Sequence, residues 1–162
     1  MPMILPYGFT VFCDDVRQEV HGKRTFVGTY SGNIVVHAPT TPVSLPMFSF
    51  AITLFEPHEL VRVRNFSIPL AVYLPGDRPD EPTISGEFPD NREAMLPLLD
   101  NLPPPAESEL DLGPRVMRTD VVITMGPLVL KQPGFIFVRA KYRGETLRLG
   151  SLNVTITEAQ AT

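Results

Sequence analysis

Apolar residues recur at every second position in four stretches of this chain. Phe48, Phe50, Ile52 and Leu54 alternate with Ser49, Ala51 and Thr53, while Phe66, Ile68, Leu70, Val72 and Leu74 repeat the same spacing. Further on, Ile136, Val138, Ala140 and Tyr142 alternate with Arg139 and Lys141, and Leu152, Val154 and Ile156 alternate with Asn153, Thr155 and Thr157. A period of two places successive side chains on opposite faces of an extended chain, so each stretch predicts a strand with one buried and one wet face. Shorter apolar runs predict further strands at 9–13, 25–30, 34–37 and 117–125, with another at 146–149. Between them stand Gly22, Gly32 with Asn33, Gly76 with Asp77, and Gly144 after Arg143, residues that enter turns at low conformational cost. Numerous half-buried strands joined by tight turns satisfy one another as an all-β, antiparallel two-sheet β-sandwich, immunoglobulin-like or C2-like. A closed barrel is the alternative.

Proline modifies that pattern. The chain has 18 prolines, which exclude long helices, and Pro46, Pro69 and Pro127 mark edges, bulges or strand ends. Nine prolines fall within residues 75–114, which read as one long excursion from the sandwich. A short helix is expected there at 91–102, because Met95, Leu98, Leu99 and Leu102 follow helical spacing. Asp90 with Glu93 resembles a capping box, Pro97 shortens or kinks the helix, and Pro103, Pro104 and Pro105 stop it. With 162 residues and no internal repeat, residues 1–162 read as a single domain.

Hydrophobic residues make up 43% and charged residues 20%, which suits a folded chain rather than a disordered one. A net charge of −4 opposes general attraction to nucleic acid or an anionic membrane. That charge is uneven: residues 77–111 hold ten acids against Arg78 and Arg92, a balance of −8, leaving +4 elsewhere. Cys13 is the only cysteine, so no intrachain disulfide can form and a reducing cytoplasm is the expected setting. The opening MPMILPYGFTVFCDD reads as a strand rather than a signal, and no run reaches the roughly 20 apolar residues that span a bilayer.

Candidate chemistry is sparse. Asp14, Asp15, Glu19 and His21, with Lys23 beside them, form the only local cluster with donors for a metal or for acid–base work. On an extended chain Asp15, Glu19 and His21 share a parity, which motivates a metal-dependent hydrolase or lyase as one alternative. The plainer reading is a charged turn after the first strand, with Arg17 and Lys23 pairing with the acids. Convergence of Asp77, Asp80, Glu81 and Asp90 with Asp14 and Asp15 would make a C2-like calcium site, a second alternative. Cys13 beside two acids is poorly placed as a nucleophile, since negative charge disfavours thiolate. The three histidines accompany no Gly-x-Ser-x-Gly turn, and neither a Walker sequence nor a Gly-x-Gly-x-x-Gly fingerprint is present. No cofactor is therefore expected. The leading expectation is a non-enzymatic interaction or structural module with a protein partner, able also to form a homodimer by edge pairing or sheet-face packing. In a third reading the acidic excursion binds basic peptides.

Phe12-Cys13-Asp14-Asp15-Val16-Arg17, followed by Gly22-Lys23 and Val27-Gly28-Thr29-Tyr30, resembles the amino-terminal signature FCDDVRxExxGK of a family of uncharacterised bacterial proteins, known only as a domain of unknown function. Gly126-Pro127-Leu128, Pro133-Gly134-Phe135 and Leu149-Gly150-Ser151-Leu152-Asn153-Val154 extend the resemblance over about half the chain. It implies a bacterial, cytoplasmic β-sandwich without known activity, and it supplies no catalytic residue.

Overall fold

The computed structural model describes residues 5–110 and 112–158. Strand β1 (Tyr7–Gln18) pairs with β2 (Arg24–Tyr30) through its second half and with β5 (Phe48–Pro57) through its first. Strand β8 (Val116–Met125) completes a four-stranded sheet in the order β2-β1-β5-β8. The facing sheet has five strands, β3 (Asn33–His37), β11 (Glu145–Thr157), β10 (Gly134–Tyr142), β6 (Pro69–Tyr73) and β7 (Ile84–Glu87), in the order β3-β11-β10-β6-β7. A small third sheet joins β4 (Val43–Leu45) to β9 (Leu128–Leu130). The result is the two-layer, mainly antiparallel sandwich that the alternation predicts. One pair departs from it: β3 runs parallel to β11.

The two inward faces cover each other. Phe12, Phe48, Phe50, Ile52 and Leu54 meet Leu70, Val72, Ile136, Val138, Leu152 and Val154 in one buried cluster. Strand β5 is covered on its outer face as well, which the small residues Ser49, Ala51 and Thr53 permit. Arg24 shows what covers it. At the start of β2, its Nη1 lies 3.6 Å from Asp120 Oδ2 on β8, although two strands separate β2 from β8 within the sheet. The β1–β2 hairpin therefore bends across the outside of the sheet. Beneath it the Ser49 hydroxyl reaches the Asp14 carbonyl at 3.5 Å and the Thr124 hydroxyl at 2.9 Å.

Several boundaries differ from expectation. Strand β1 continues past Cys13 to Gln18, so Asp14, Asp15 and Arg17 belong to the strand and not to a charged turn after it. Backbone pairing to β2 holds them extended whatever their polarity. Phe66 and Ile68 precede β6, because helix α1 (His58–Val63) occupies the chain just before them. The excursion contains the expected helix as α2 (Arg92–Asp100), together with strand β7 and the single turn α3 (Glu107–Leu110). The cap position of α2 falls on Asn91, and Asp90 acts from one residue further out by accepting the Arg92 amide at 3.2 Å. Val61, Leu99 and Met117 form a small second cluster that fastens α2 to α1 and β8. Pro69 opens β6, while Pro46 and Pro127 sit just outside β4 and β9.

The predicted segments 146–149 and 152–156 are a single strand. Parity changes between them, since Leu149 and Leu152 are both buried. A β-bulge resolves this: Val138 pairs with Gly150 and Arg139 with Arg148, leaving Leu149 as the extra residue.

Candidate functional site

The charged amino-terminal cluster does not converge. Asp14 lies on the same side of β1 as Phe12, where the Tyr30 hydroxyl donates to its Oδ1 at 2.5 Å. Tyr30 in turn stacks on Phe48, with ring centroids 5.5 Å apart. Asp15 has the opposite parity and meets Arg17 at 3.4 Å. The parity shared by Asp15, Glu19 and His21 ends with the strand at Gln18, because Val20–Gly22 is a tight turn in which His21 takes a φ of 59°. Glu19 donates its amide to the Lys23 carbonyl at 2.8 Å, closing that turn, and the side chains of Glu19, His21 and Lys23 are exposed. Among the described residues, no three His, Cys, Asp or Glu side chains are placed to hold a metal ion. Cys13 is fully buried, and its thiol pKa is raised by burial first and by the Asp14 and Asp15 charges second.

Acids of the excursion are also spread out, several held by local partners. Asp77 accepts the Leu74 amide at 2.9 Å and the Thr83 amide and hydroxyl, each at 2.8 Å, which fixes the turn at Gly76. Asp90 is held below the usual carboxylate range chiefly by hydrogen bonds from the Arg92 side chain and backbone. Asp100 pairs with Arg62, and Glu109 with Arg115 at 2.8 Å. Such acids staple loops.

A buried ion pair lies where the sequence gives a signal that composition hides. Glu56 continues the inward series Phe48, Phe50, Ile52, Leu54, so an acid at that parity points into the protein and needs a partner. The partner is Arg64, whose Nε lies 3.1 Å from Glu56 Oε1; both side chains are under 5% exposed. Arg64 Nη1 also donates to the Phe66 carbonyl at 3.0 Å. Burial raises the Glu56 pKa, and the Arg64 charge opposes that rise. The Tyr142 phenol, pushed up to about 12 by burial and then by the Glu56 charge, is sealed in beside the same carboxylate. The pair is isolated from solvent, which suits anchoring α1 rather than turnover.

The outward face of the five-stranded sheet has a different character. Phe135 and Phe137, both exposed, stack at 5.8 Å between centroids and 19° between planes. The Arg139 guanidinium carbon stands 5.0 Å from the Phe137 ring centroid and 5.6 Å from that of Tyr73 on the neighbouring strand. The bulge sets Arg148 directly opposite Arg139, and Lys141 follows on the same side, donating to the Thr146 hydroxyl at 2.8 Å. Among the described residues, none of these three cations meets a carboxylate. Two concavities flank the rings. One of about 390 Å³ is bounded by Phe137, Arg139, Arg148 and Ser151, and one of about 270 Å³ by Tyr73, Pro75, Pro79, Phe135 and Arg139. Beyond them Asn153 and Thr155 donate to the Asn33 side-chain oxygen at 3.0 and 3.4 Å, giving the face a polar margin. Tyr7, Phe9 and Phe55 form another partly exposed aromatic group, on the outside of the four-stranded sheet, where among the described residues no cation lies over the rings.

Sequence reasoning missed this face although its signal is present. In Phe135-Ile136-Phe137-Val138-Arg139 both parities are apolar, so rings must stand on the wet side as well as the buried one. Together the fold and this face define a β-sandwich with an aromatic, cationic sheet surface. Comparison of the chain with known protein families, with curated proteins and with solved structures found no match.

Proposed function

We propose that the protein is a non-enzymatic interaction module whose working surface is the outward face of the five-stranded sheet, and that it binds an acidic protein surface. The observation that carries this reading is the Phe135–Phe137 stack standing in solvent with Arg139 over its ring. Isolated exposed apolar residues need no explanation, but contiguous aromatic rings joined to arginine have the composition of interface anchors. A cation near a ring gains up to about 2 kcal/mol when water is excluded, so burial by a partner strengthens contacts already in place. Arg139, Arg148 and Lys141 supply the sign that selects acidic partners.

The immunoglobulin-like variant of the sandwich belongs to the same proposal. It is supported by the order β1-β5-β8 facing β11-β10-β6, with β6 reached by crossing from β5 of the other sheet and β10 reached from β8 by way of β9 in the small third sheet. A bacterial, cytoplasmic setting rests on the amino-terminal resemblance and on the lone Cys13. Among the described residues no helix is long and apolar enough to cross a membrane.

The test is comparative capture from the native host by wild type, by Phe137→Ala/Arg139→Ala and by Lys23→Ala, which lies outside the face. The expected result is a defined partner retained by wild type and Lys23→Ala, and lost by the double variant. Equal capture by all three chains overturns the assignment of this face.

A further inference from the structure

The molecule carries a surface that matches the proposed face. The excursion is acidic by −8 across residues 77–111, whereas the remainder of the chain is +4. Part of that acidity is neutralised locally by Arg62, Arg92 and Arg115, but Glu93 and Glu107 are exposed and, among the described residues, form no ion pair. Beside Glu107 stand Pro103, Pro104 and Pro105, all exposed, their backbone steadied by Arg115, which donates to the Pro103 carbonyl at 2.7 Å. Proline runs hold an extended conformation before binding, so they dock on aromatic rings with little further loss of entropy. At the rim of the face the Tyr73 hydroxyl donates to the Pro79 carbonyl at 3.1 Å, and Pro75 and Pro79 border the same concavity as Tyr73 and Phe135.

Residues 75–79 of the excursion border the face, whereas its segment 103–110 lies in a different part of the molecule. Helix α2 packs on α1 beyond Pro57, at the end of the sandwich where β10 finishes with Tyr142. Phe135 and Tyr73 lie toward the opposite end, by Gly76 and Pro133. We infer that the aromatic and cationic face of one copy receives the acidic proline segment 103–110 of a second copy, so that the chain associates head to tail. Glu107 of the incoming copy meets Arg139 and Arg148, and its prolines cover Phe135 and Phe137. Because the two surfaces differ, the contact is heterologous and does not close on itself as a two-fold dimer does. The inference rests on the binding face proposed above and names its partner.

Sedimentation velocity of the full chain tests it at low and high salt. At low salt the expected result is concentration-dependent association extending beyond a dimer, weakened at least tenfold by high salt. The face variant Phe137→Ala/Arg139→Glu and the segment variant Pro104→Ala/Glu107→Lys are each expected to be monomeric alone. Mixed, they are expected to form a 1:1 complex and nothing larger, since each retains one intact surface. Arg148→Glu, at an exposed position, repeats the face test if the double variant melts differently from wild type. A wild type that stays monomeric at low salt, a mixture that stays monomeric, or association indifferent to both variants overturns the self-docking. If self-docking fails while host capture still depends on Phe137 and Arg139, the face keeps its role and only the second copy is ruled out. If both assays are indifferent to those residues, the face itself is wrongly assigned.

Discussion

A Cβ at Gly28 would lie 2.1 Å from Asp14 Oδ2, and the φ of +64° there already disfavours any side chain. Gly32 has a similar φ of +82° but open space around it. Gly28→Ala is therefore expected to cost about 2–3 kcal/mol and Gly32→Ala about 1 kcal/mol, read from denaturant unfolding. Equal losses would mean that the Asp14 carboxylate moves aside freely. Tyr30, whose hydroxyl holds that carboxylate, has its pKa pushed up to about 12 by burial first and then by Asp14. A raised phenol pKa means that the folded state favours the neutral form. The associated stability is present below about 10, the ordinary tyrosine value, and is lost as pH rises through about 12. Tyr30→Phe should lower stability at neutral pH by about 1 kcal/mol and flatten the alkaline limb of the unfolding profile. A limb as steep as that of wild type would contradict this.

Glu56 and Arg64 make a sharper case. Removing one partner strands a buried charge, so Glu56→Ala should cost about 3–5 kcal/mol, whereas Glu56→Leu/Arg64→Met should fall close to wild type. Thermal melts of the single and double variants decide this, and a double variant as unstable as the single one would show that the pair itself holds α1. Because the Glu56 pKa is raised, its folded form favours the proton: that contribution is full below the ordinary carboxylate range and fades as pH climbs through the raised value.

At the scale of elements, α2 is secured by Leu99 buried against Val61 and Met117, with Met95 and Leu96 half-buried beside it and Asp100 paired to Arg62, while Pro97 removes one of its internal hydrogen bonds. Leu99→Ala should remove amide-exchange protection from α1 and α2 while leaving β10 protected, since β10 belongs to the main core. Loss of protection in both would show that the clusters unfold together. Elements were legible in the sequence where apolar alternation was unbroken, as from Phe48 to Leu54 and from Ile136 to Tyr142. They are hidden where another force sets the conformation. Asp14 to Gln18 stay extended because β2 supplies backbone partners, an interaction side-chain polarity does not encode. Strand β11 looked like two strands because a bulge exchanges inside for outside between Leu149 and Leu152. The same bulge places Arg148 beside Arg139, so the local irregularity that obscured the strand also builds the face.

For the whole molecule, two pressed layers follow from the count and spacing of alternating stretches, but their strand order does not. Alternation says which side of a strand is greasy and nothing about its neighbours. Asp14, Asp15, Glu19 and His21 are close in sequence, yet strand parity and a tight turn send them apart. Phe135 and Phe137 gain their meaning only when β6 brings Tyr73 alongside and β11 brings Arg148.

The parallel pairing of β3 with β11 bears on how the protein is made. Asn33 and Asn153, joined at 3.0 Å, are 120 residues apart in the chain, and β3 pairs with no other described strand. At elongation rates of about 5–20 residues per second the ribosome releases β3 on the order of ten seconds before its mate. Throughout that interval Ile34, which the finished sandwich buries, waits for the strand that pairs with it, so closing this edge of the sheet is among the last steps of folding during synthesis.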